Sequence, residues 1–437
     1  MSPELIGILG LVLFLVLMFL KFPVAVAMSV VGLVGCAYLR GLNAALRIIA
    51  LDFYATFSNY NLLTIAMFVL MGYLACHSGL SSKIFDFAYT VVGRKPGGLA
   101  MASVLACTIF GAISGSYAAT AAIVGSAAIP EMRKRRYSDA LATASIAAGG
   151  VIGTLIPPSV TFIIYGIATE QSINKLFMAG IFPGILFMLS YFVAIWIITK
   201  RNPAEGPPGT EPPPSLKEIF HAARNGLMEV MIVFIISIGG LFAGFFTPTE
   251  AGGVGAAGVL LVALLLRQIS WKQFFLSLKD STKTTVMILF IIAGATVFGR
   301  LVALSRMPAA IGRAIDALLL PDLMILLLIL AIYIFLGTFL DTIPMVLLTM
   351  PIFFPIVVNK LGQDPIWFGA VVVMATCIGA LTPPVGANVF VVKGLAKDVP
   401  LETIFRGVMP FVAAATIATA LVIIFPQIAT FLPNLLL

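Results

Sequence analysis

Residues 153–158 read Gly-Thr-Leu-Ile-Pro-Pro, and residues 379–384 read Gly-Ala-Leu-Thr-Pro-Pro. Each segment interrupts a long apolar run. Proline has no backbone N–H and its ring clashes with the preceding turn, so a Pro-Pro pair stops an α-helix. The break frees carbonyl groups upstream and creates a new helix N-terminus downstream. Carbonyls suit a cation and an N-terminus suits an anionic group. Thr154, Ser159, Thr161, Thr382 and Asn388 add side-chain oxygens nearby. A single break of this kind reads as a packing kink. Two at matching positions point to a binding site.

The two breaks lie 226 residues apart (379 − 153). Phe110–Ser114 aligns with Leu336–Leu340 at the same offset. Phe22-Pro23 aligns with Thr247-Pro248 at an offset of 225, and Gly180 with Gly407 at 227. A nearly constant offset reads as an internal repeat. Between the halves, 1–199 and 217–437, lies the polar stretch KRNPAEGPPGTEPPPSL at 200–216. Its prolines make it a semi-rigid spacer.

The background to these breaks is an apolar chain. It has 437 residues, 61% hydrophobic and 10% charged, with a mean hydropathy of +1.12. Soluble domains average about 45–50% apolar and about 25% charged residues. A soluble globular protein is therefore excluded, and an all-α polytopic protein of the lipid bilayer is expected. Spans are expected near 5–20, 24–39, 48–78, 138–170 and 177–199, then 226–246, 249–266, 284–305, 364–392 and 407–431. The apolar N-terminal run lacks a preceding basic region, so it reads as a retained first span rather than a signal peptide.

The net charge of +8 fits Lys and Arg in cytoplasmic loops, and no nucleic-acid-binding pattern competes with that reading. Placing the N-terminus outside puts most of the 26 Lys and Arg residues on the inside. Five full spans per half is an odd number, so the second half is inverted and both termini are periplasmic. Inverted repeats mark secondary transporters. No Walker A or Rossmann pattern, His/Cys metal spacing or Ser-His-Asp set is legible. Neither an enzyme nor an organic cofactor is expected. The four cysteines, Cys36, Cys76, Cys107 and Cys377, read as small buried apolar residues.

Two further segments carry polar groups at membrane depth. The stretch 97–131 is apolar, but its centre holds Gly111, Ser114, Gly115 and Ser116. Glycine loosens the backbone there and serine competes for its hydrogen bonds. A re-entrant helical hairpin with its tip at Ser114–Ser116 is expected, against the alternative of two close-packed helices. The matching stretch 322–358 has its centre at Gly337-Thr338-Phe339-Leu340-Asp341-Thr342. A carboxylate at that depth is costly and usually functional. Cation coordination is the first reading of Asp341; holding the turn and relaying protons compete with it. Arg300 stands in an otherwise neutral run. It is a candidate bidentate clamp for a substrate carboxylate, with snorkelling to the interface as the alternative. Glu250, in Thr247-Pro248-Thr249-Glu250, reads as a capping residue.

In these residues the chain resembles the large membrane subunit of tripartite ATP-independent periplasmic (TRAP) transporters, the DctM-like family. The resemblance rests on Phe110–Ser116, Gly153–Pro158, Thr247–Ala251, Gly337–Asp341 and Gly379–Pro384, and it covers essentially the whole chain. It implies two inverted repeats, each with a re-entrant hairpin and a discontinuous helix, arranged as a scaffold and an elevator-type transport domain. It also implies Na⁺-coupled uptake of a small organic acid (a dicarboxylate, sialic acid, keto acid or sugar acid) across the bacterial inner membrane. The implied partners are a small four-helix membrane subunit on a separate chain and a periplasmic substrate-binding protein.

Carried over by position, one Na⁺ is expected at Ser114, Gly153 and Ile156. A second is expected at Gly337, Thr338, Asp341, Gly379 and Thr382. The substrate is expected against Ser114, Gly115, Ser116, Thr154, Pro158, Thr342, Pro384 and Asn388, with Arg300 as the clamp read from the residues themselves. The position matching Asp341 in the first half is Gly115, so the two cation sites should differ in charge. A standalone carrier of the divalent-anion/sodium symporter type, without a binding protein, is the competing expectation.

Overall fold

The computed structural model describes residues 1–209, 214–224, 227–317 and 320–436, and they contain helices and no strand. Residues 210–213 of the Pro-rich stretch and the first residue of the span expected at 226–246 lie outside the described set. In chain order the helices are α1 (Pro3–Phe19), α2 (Val24–Arg40), α3 (Leu42–Phe57), α4 (Leu63–His77), α5 (Leu80–Val92), α6 (Gly98–Ser114) and α7 (Tyr117–Lys134). There follow α8 (Asp139–Ile152), α9 (Val160–Thr169), α10 (Ile173–Arg201), α11 (Leu216–Arg224), α12 (Leu227–Phe242), α13 (Pro248–Leu265) and α14 (Trp271–Leu304). The last are α15 (Met307–Ala317), α16 (Asp322–Gly337), α17 (Thr342–Phe354), α18 (Pro365–Leu381), α19 (Ala387–Leu395), α20 (Leu401–Ile424) and α21 (Gln427–Leu436).

Among the described residues, six helical segments are long and apolar enough to cross a membrane. They are Tyr60–His77, Ile173–Arg201, Pro248–Leu265, Trp271–Leu304, Thr342–Lys360 and Leu401–Ile424. α1, α2, α8 and α18 are apolar but shorter. Two details differ from the expected spans. Residues 48–78 do not form one helix. Ser58 Oγ donates to the Tyr54 carbonyl at 2.7 Å and Asn59 Oδ1 accepts from the Asn61 N–H at 2.9 Å. Side chains that take backbone partners in this way end α3 at Phe57 and start α4 afresh. The expected span 284–305 is the second half of the 34-residue α14, which lies along α2 and α4.

Serine and threonine start many of the helices. Ser116, Ser138, Ser159 and Ser172 each accept a hydrogen bond from a backbone N–H in the first turn of α7, α8, α9 and α10. Thr247 and Glu250 form a reciprocal capping box on α13, the role read for Glu250 from sequence. Ser270 and Gln273 do the same for α14.

α6 and α7 fold back on each other as a hairpin, and α16 and α17 form a second. The first turns at Gly115, whose φ of +62° is left-handed. A Cβ at Gly115 would also meet the Pro158 carbonyl oxygen at 2.5 Å. α8 and α9 are one broken helix across 153–159, and α18 and α19 are another across 382–386. The Pro157–Pro158 and Pro383–Pro384 peptide bonds are both cis. Each hairpin crosses a broken helix at a pair of glycines. A Cβ on Gly153 would stand 3.0 Å from Gly111 Cα, and one on Gly379 would stand 2.7 Å from Gly337 Cα. The Gly386 N–H donates to the Thr338 carbonyl at 3.0 Å, tying the second tip to the second break.

The stretch after α10 is strapped to the base of the first hairpin. The Gly97 N–H donates to the Gly206 carbonyl at 2.9 Å and the Ser138 N–H to the Glu205 carbonyl at 3.0 Å. Ser138 Oγ also donates to the Glu205 carboxylate.

The glycine crossings yield a stability prediction. Gly379→Ala places a methyl within 2.7–2.9 Å of Gly337 and Ile334 backbone atoms, which cannot move aside cheaply. It should destabilise the protein by about 1–3 kcal/mol. Gly253→Ala, on α13 with open space around it, should be neutral or stabilising by up to about 1 kcal/mol. Thermal unfolding of both variants in detergent checks this; equal melting temperatures would refute the tight crossing.

Candidate functional site

The hairpin tips converge on one cavity of about 290 Å³. Ser114, Gly115, Ser116 and Tyr117 line it from the first tip, and Asp341, Thr342 and Ile343 from the second. Thr154, Val160 and Thr161 come from the first break. The opposite wall is Gly72, Tyr73 and Cys76 of α4 with Thr284, Met287 and Ile288 of α14. The first tip abuts this wall: a Cβ on Gly72 would lie 3.0 Å from Ser114 Cα.

Three helices point their N-termini at the cavity: α7 at Tyr117, α9 at Val160 and α17 at Thr342. Each carries roughly half a positive charge at that end. Asp341 is the one charged residue of the lining among the described residues. It occupies the N-cap position of α17, with its carboxylate beside the backbone N–H groups of Thr342 and Ile343. Its carboxylate is open to the cavity and faced by the Tyr117 hydroxyl.

The first tip is internally braced. Ser114 Oγ and Thr120 Oγ1 are 2.7 Å apart, and Thr120 Oγ1 donates to the Ser116 carbonyl at 2.7 Å. Thr154 Oγ1 donates to the Val151 carbonyl at 2.7 Å and lies 3.0 Å from Cys377 Sγ, linking the two broken helices. Among the described residues no hydrogen bond reaches the carbonyl oxygens of Gly153, Ile156 or Gly337. Thr338 Oγ1 and Thr382 Oγ1 donate to the Phe335 and Ile378 carbonyls at 2.8 and 2.7 Å. The Gly379 carbonyl accepts from the Thr382 N–H at 3.0 Å.

Ser114, Gly115, Ser116, Thr154, Asp341 and Thr342, singled out from sequence, thus line one cavity. Four other expected substrate residues do not line it. Pro158 is buried behind Gly115, and Pro384 is exposed away from the cavity. Asn388 is buried and donates to the Ala147 carbonyl at 2.6 Å, fastening α19 to α8. Arg300, the clamp expected from sequence, stands outside the cavity lining. It lies 16 residues beyond Thr284 on α14 (300 − 284), about 24 Å along the axis. Its guanidinium pairs with Asp52 of α3 at 3.2–3.4 Å. Asp52 is 6% exposed and Arg300 59% exposed. Tyr73, Cys76, Tyr117 and Thr284 were not identified from sequence. Tyr73 and Thr284 sit in segments that read as plain spans, and Tyr117 directly follows the tip serines.

Paired helical hairpins and broken helices around a polar cavity, within an apolar helical body, define a polytopic membrane transporter. The sequence pattern of the family described as "Tripartite ATP-independent periplasmic transporter, DctM component" matches residues 11–428. The chain belongs to this family. It is 37% identical to the C4-dicarboxylate TRAP transporter large permease protein DctM of Pseudomonas aeruginosa, over 89% of this chain and 90% of that protein. It is 36% identical to the sialic acid TRAP transporter large permease protein SiaM of Vibrio cholerae, over 87% of each. In fold it is similar to the crystal structure of the Alcanivorax borkumensis YdaH transporter, with a TM-score of 0.59 at 13% identity over 90% of this chain and 89% of that one.

The Arg300–Asp52 pair is expected to serve stability. Arg300→Ala leaves a buried carboxylate without its partner, which is destabilising. Because the arginine is largely exposed, the loss should be about 1 kcal/mol. Thermal unfolding should show it and substrate affinity should not change; a weakened substrate affinity at unchanged stability would return Arg300 to a substrate role.

Proposed function

We propose that this chain is the large membrane subunit of a Na⁺-coupled, binding-protein-dependent importer of a small organic acid. The observation that carries this reading is the open carboxylate of Asp341 among three helix N-termini in one cavity. The carboxylate attracts a cation, and the helix ends attract the carboxylate of a substrate. The uncommitted carbonyls of Gly153, Ile156 and Gly337 are hard oxygen donors of the kind Na⁺ takes, beside Ser114 in the first site and Thr338, Asp341, Gly379 and Thr382 in the second. Bound Na⁺ offsets the charge of Asp341 and strengthens the site for an anion.

The two hairpins and two broken helices form the moving transport domain of an elevator, in two inverted repeats. α2, α4, α13 and α14 form the scaffold wall. The supporting geometry is the recurrence of the glycine crossing, 111 on 153 and 337 on 379, at one offset of 226 (337 − 111 and 379 − 153). The organic acid class follows the relatives, whose names specify a C4-dicarboxylate and sialic acid. The tripartite family name supports a small membrane subunit and a periplasmic binding protein as partners. The bacterial inner membrane, with both termini periplasmic, is the location that accompanies them.

Reconstitution into liposomes with the cognate small subunit tests the reading. Uptake should require both the binding protein and an inward Na⁺ gradient; uptake at an equal rate without the binding protein would favour the standalone carrier. Asp341→Asn should insert normally but lose most of its Na⁺ activation. Unchanged Na⁺ activation in that variant would remove Asp341 from cation binding.

A further inference from the structure

The cavity is chemically lopsided. Its carboxylate and its helix N-termini lie on the side of the tips and the first break. On the far wall Tyr73 of α4 faces Thr284 of α14, with the two hydroxyl oxygens 2.9 Å apart. Both residues are half-buried and line the cavity. One proton joins the pair, which leaves one donor and several acceptor lone pairs for a third group. Among the described residues no Lys, Arg or His lines the cavity.

We propose that the Tyr73–Thr284 pair is a specificity site that reads a hydroxyl at the end of the substrate remote from its carboxylate. The cargo is then a hydroxylated monocarboxylate of the sugar-acid type rather than a dicarboxylate. This rests on the transport reading above and narrows its substrate class. A carboxylate held at the tips directs the rest of a small molecule toward the α4–α14 wall. A dicarboxylate would place its second charge there without a cation, and an unpaired desolvated charge is costly. A hydroxyl would instead exchange hydrogen bonds with Tyr73 and Thr284. At about 290 Å³ the cavity lies at the small end of ligand sites, which suits a compact acid in contact with both sides at once.

The test uses the full chain in lipid nanodiscs with Na⁺, and thermal-shift titrations with D-gluconate, D-galacturonate and succinate. A sugar acid should raise the melting temperature and succinate should not. Tyr73→Phe and Thr284→Val, which keep shape and lose the hydroxyl, should each weaken sugar-acid binding about tenfold, the scale of one hydrogen bond. A change in the ligand-free melting temperature with unchanged affinity means a purely structural pair and overturns the proposal. Stabilisation by succinate alone overturns it while leaving organic-acid transport standing. No stabilisation by any of the three acids counts against both.

Discussion

Two contacts between glycine backbones hold the candidate site together. Gly111 of α6 lies on Gly153 of the first break, and Gly337 of α16 lies on Gly379 of α18. Any side chain at these four positions would separate the hairpins from the broken helices. Lipid supplies no hydrophobic drive between apolar helices, so close approach through small residues is the main source of packing attraction. The crossings lie close to the tips, so the positions of Ser114–Ser116 and Asp341 are fixed by backbone contact rather than by long side chains. The Thr338–Gly386 hydrogen bond and the Thr154–Cys377 contact add polar ties near those crossings.

These crossings also make non-helical backbone tolerable in so apolar a protein. A broken helix exposes carbonyls and N–H groups that lipid cannot satisfy. Here the breaks are packed into protein or open onto the cavity: Gly153, Thr154 and Leu155 are buried, and Thr154 borders the cavity. The second break differs, since Pro383 and Pro384 are exposed. The two halves therefore present different surroundings around similar sequences, and the carboxylate Asp341 occupies the position matched by Gly115 in the first half.

What the sequence revealed was what disrupts its own pattern. Pro-Pro pairs, tip glycines and serines and one isolated Asp stand out against an apolar background, and four of those residues, Ser114, Gly115, Ser116 and Asp341, meet in the cavity with Thr154 and Thr342. The wall was not legible because Tyr73 and Thr284 are compatible with ordinary apolar spans and are 211 residues apart. Arg300 was conspicuous for the same reason as Asp341, a charge in a neutral run, but the partner that explains it is 248 residues away on α3. Isolated charge reports cost at a position; it does not report which surface the helix turns toward the cavity. The break at Ser58 and Asn59 was missed because the flanking residues continue the apolar run, and two local side-chain hydrogen bonds outweigh it.

The charge arrangement gives the proposed coupling its physical basis. Without a cation, the carboxylate of Asp341 opposes an incoming anion while three helix ends attract it. Two opposite unit charges about 4 Å apart attract by about 4 kcal/mol at an effective dielectric near 20. A bound Na⁺ would therefore cancel the repulsion from the Asp341 carboxylate and leave the attraction of the helix ends. By linkage, the anion strengthens Na⁺ binding by the same factor. The neutral hydroxyls of the α4–α14 wall carry none of this charge dependence. In the proposed elevator motion, contacts to a neutral wall are the ones a sliding domain could exchange at low cost, whereas ion contacts would have to travel with the tips. The proposed elevator would then keep its charged groups on the moving side and its replaceable hydrogen bonds on the fixed one.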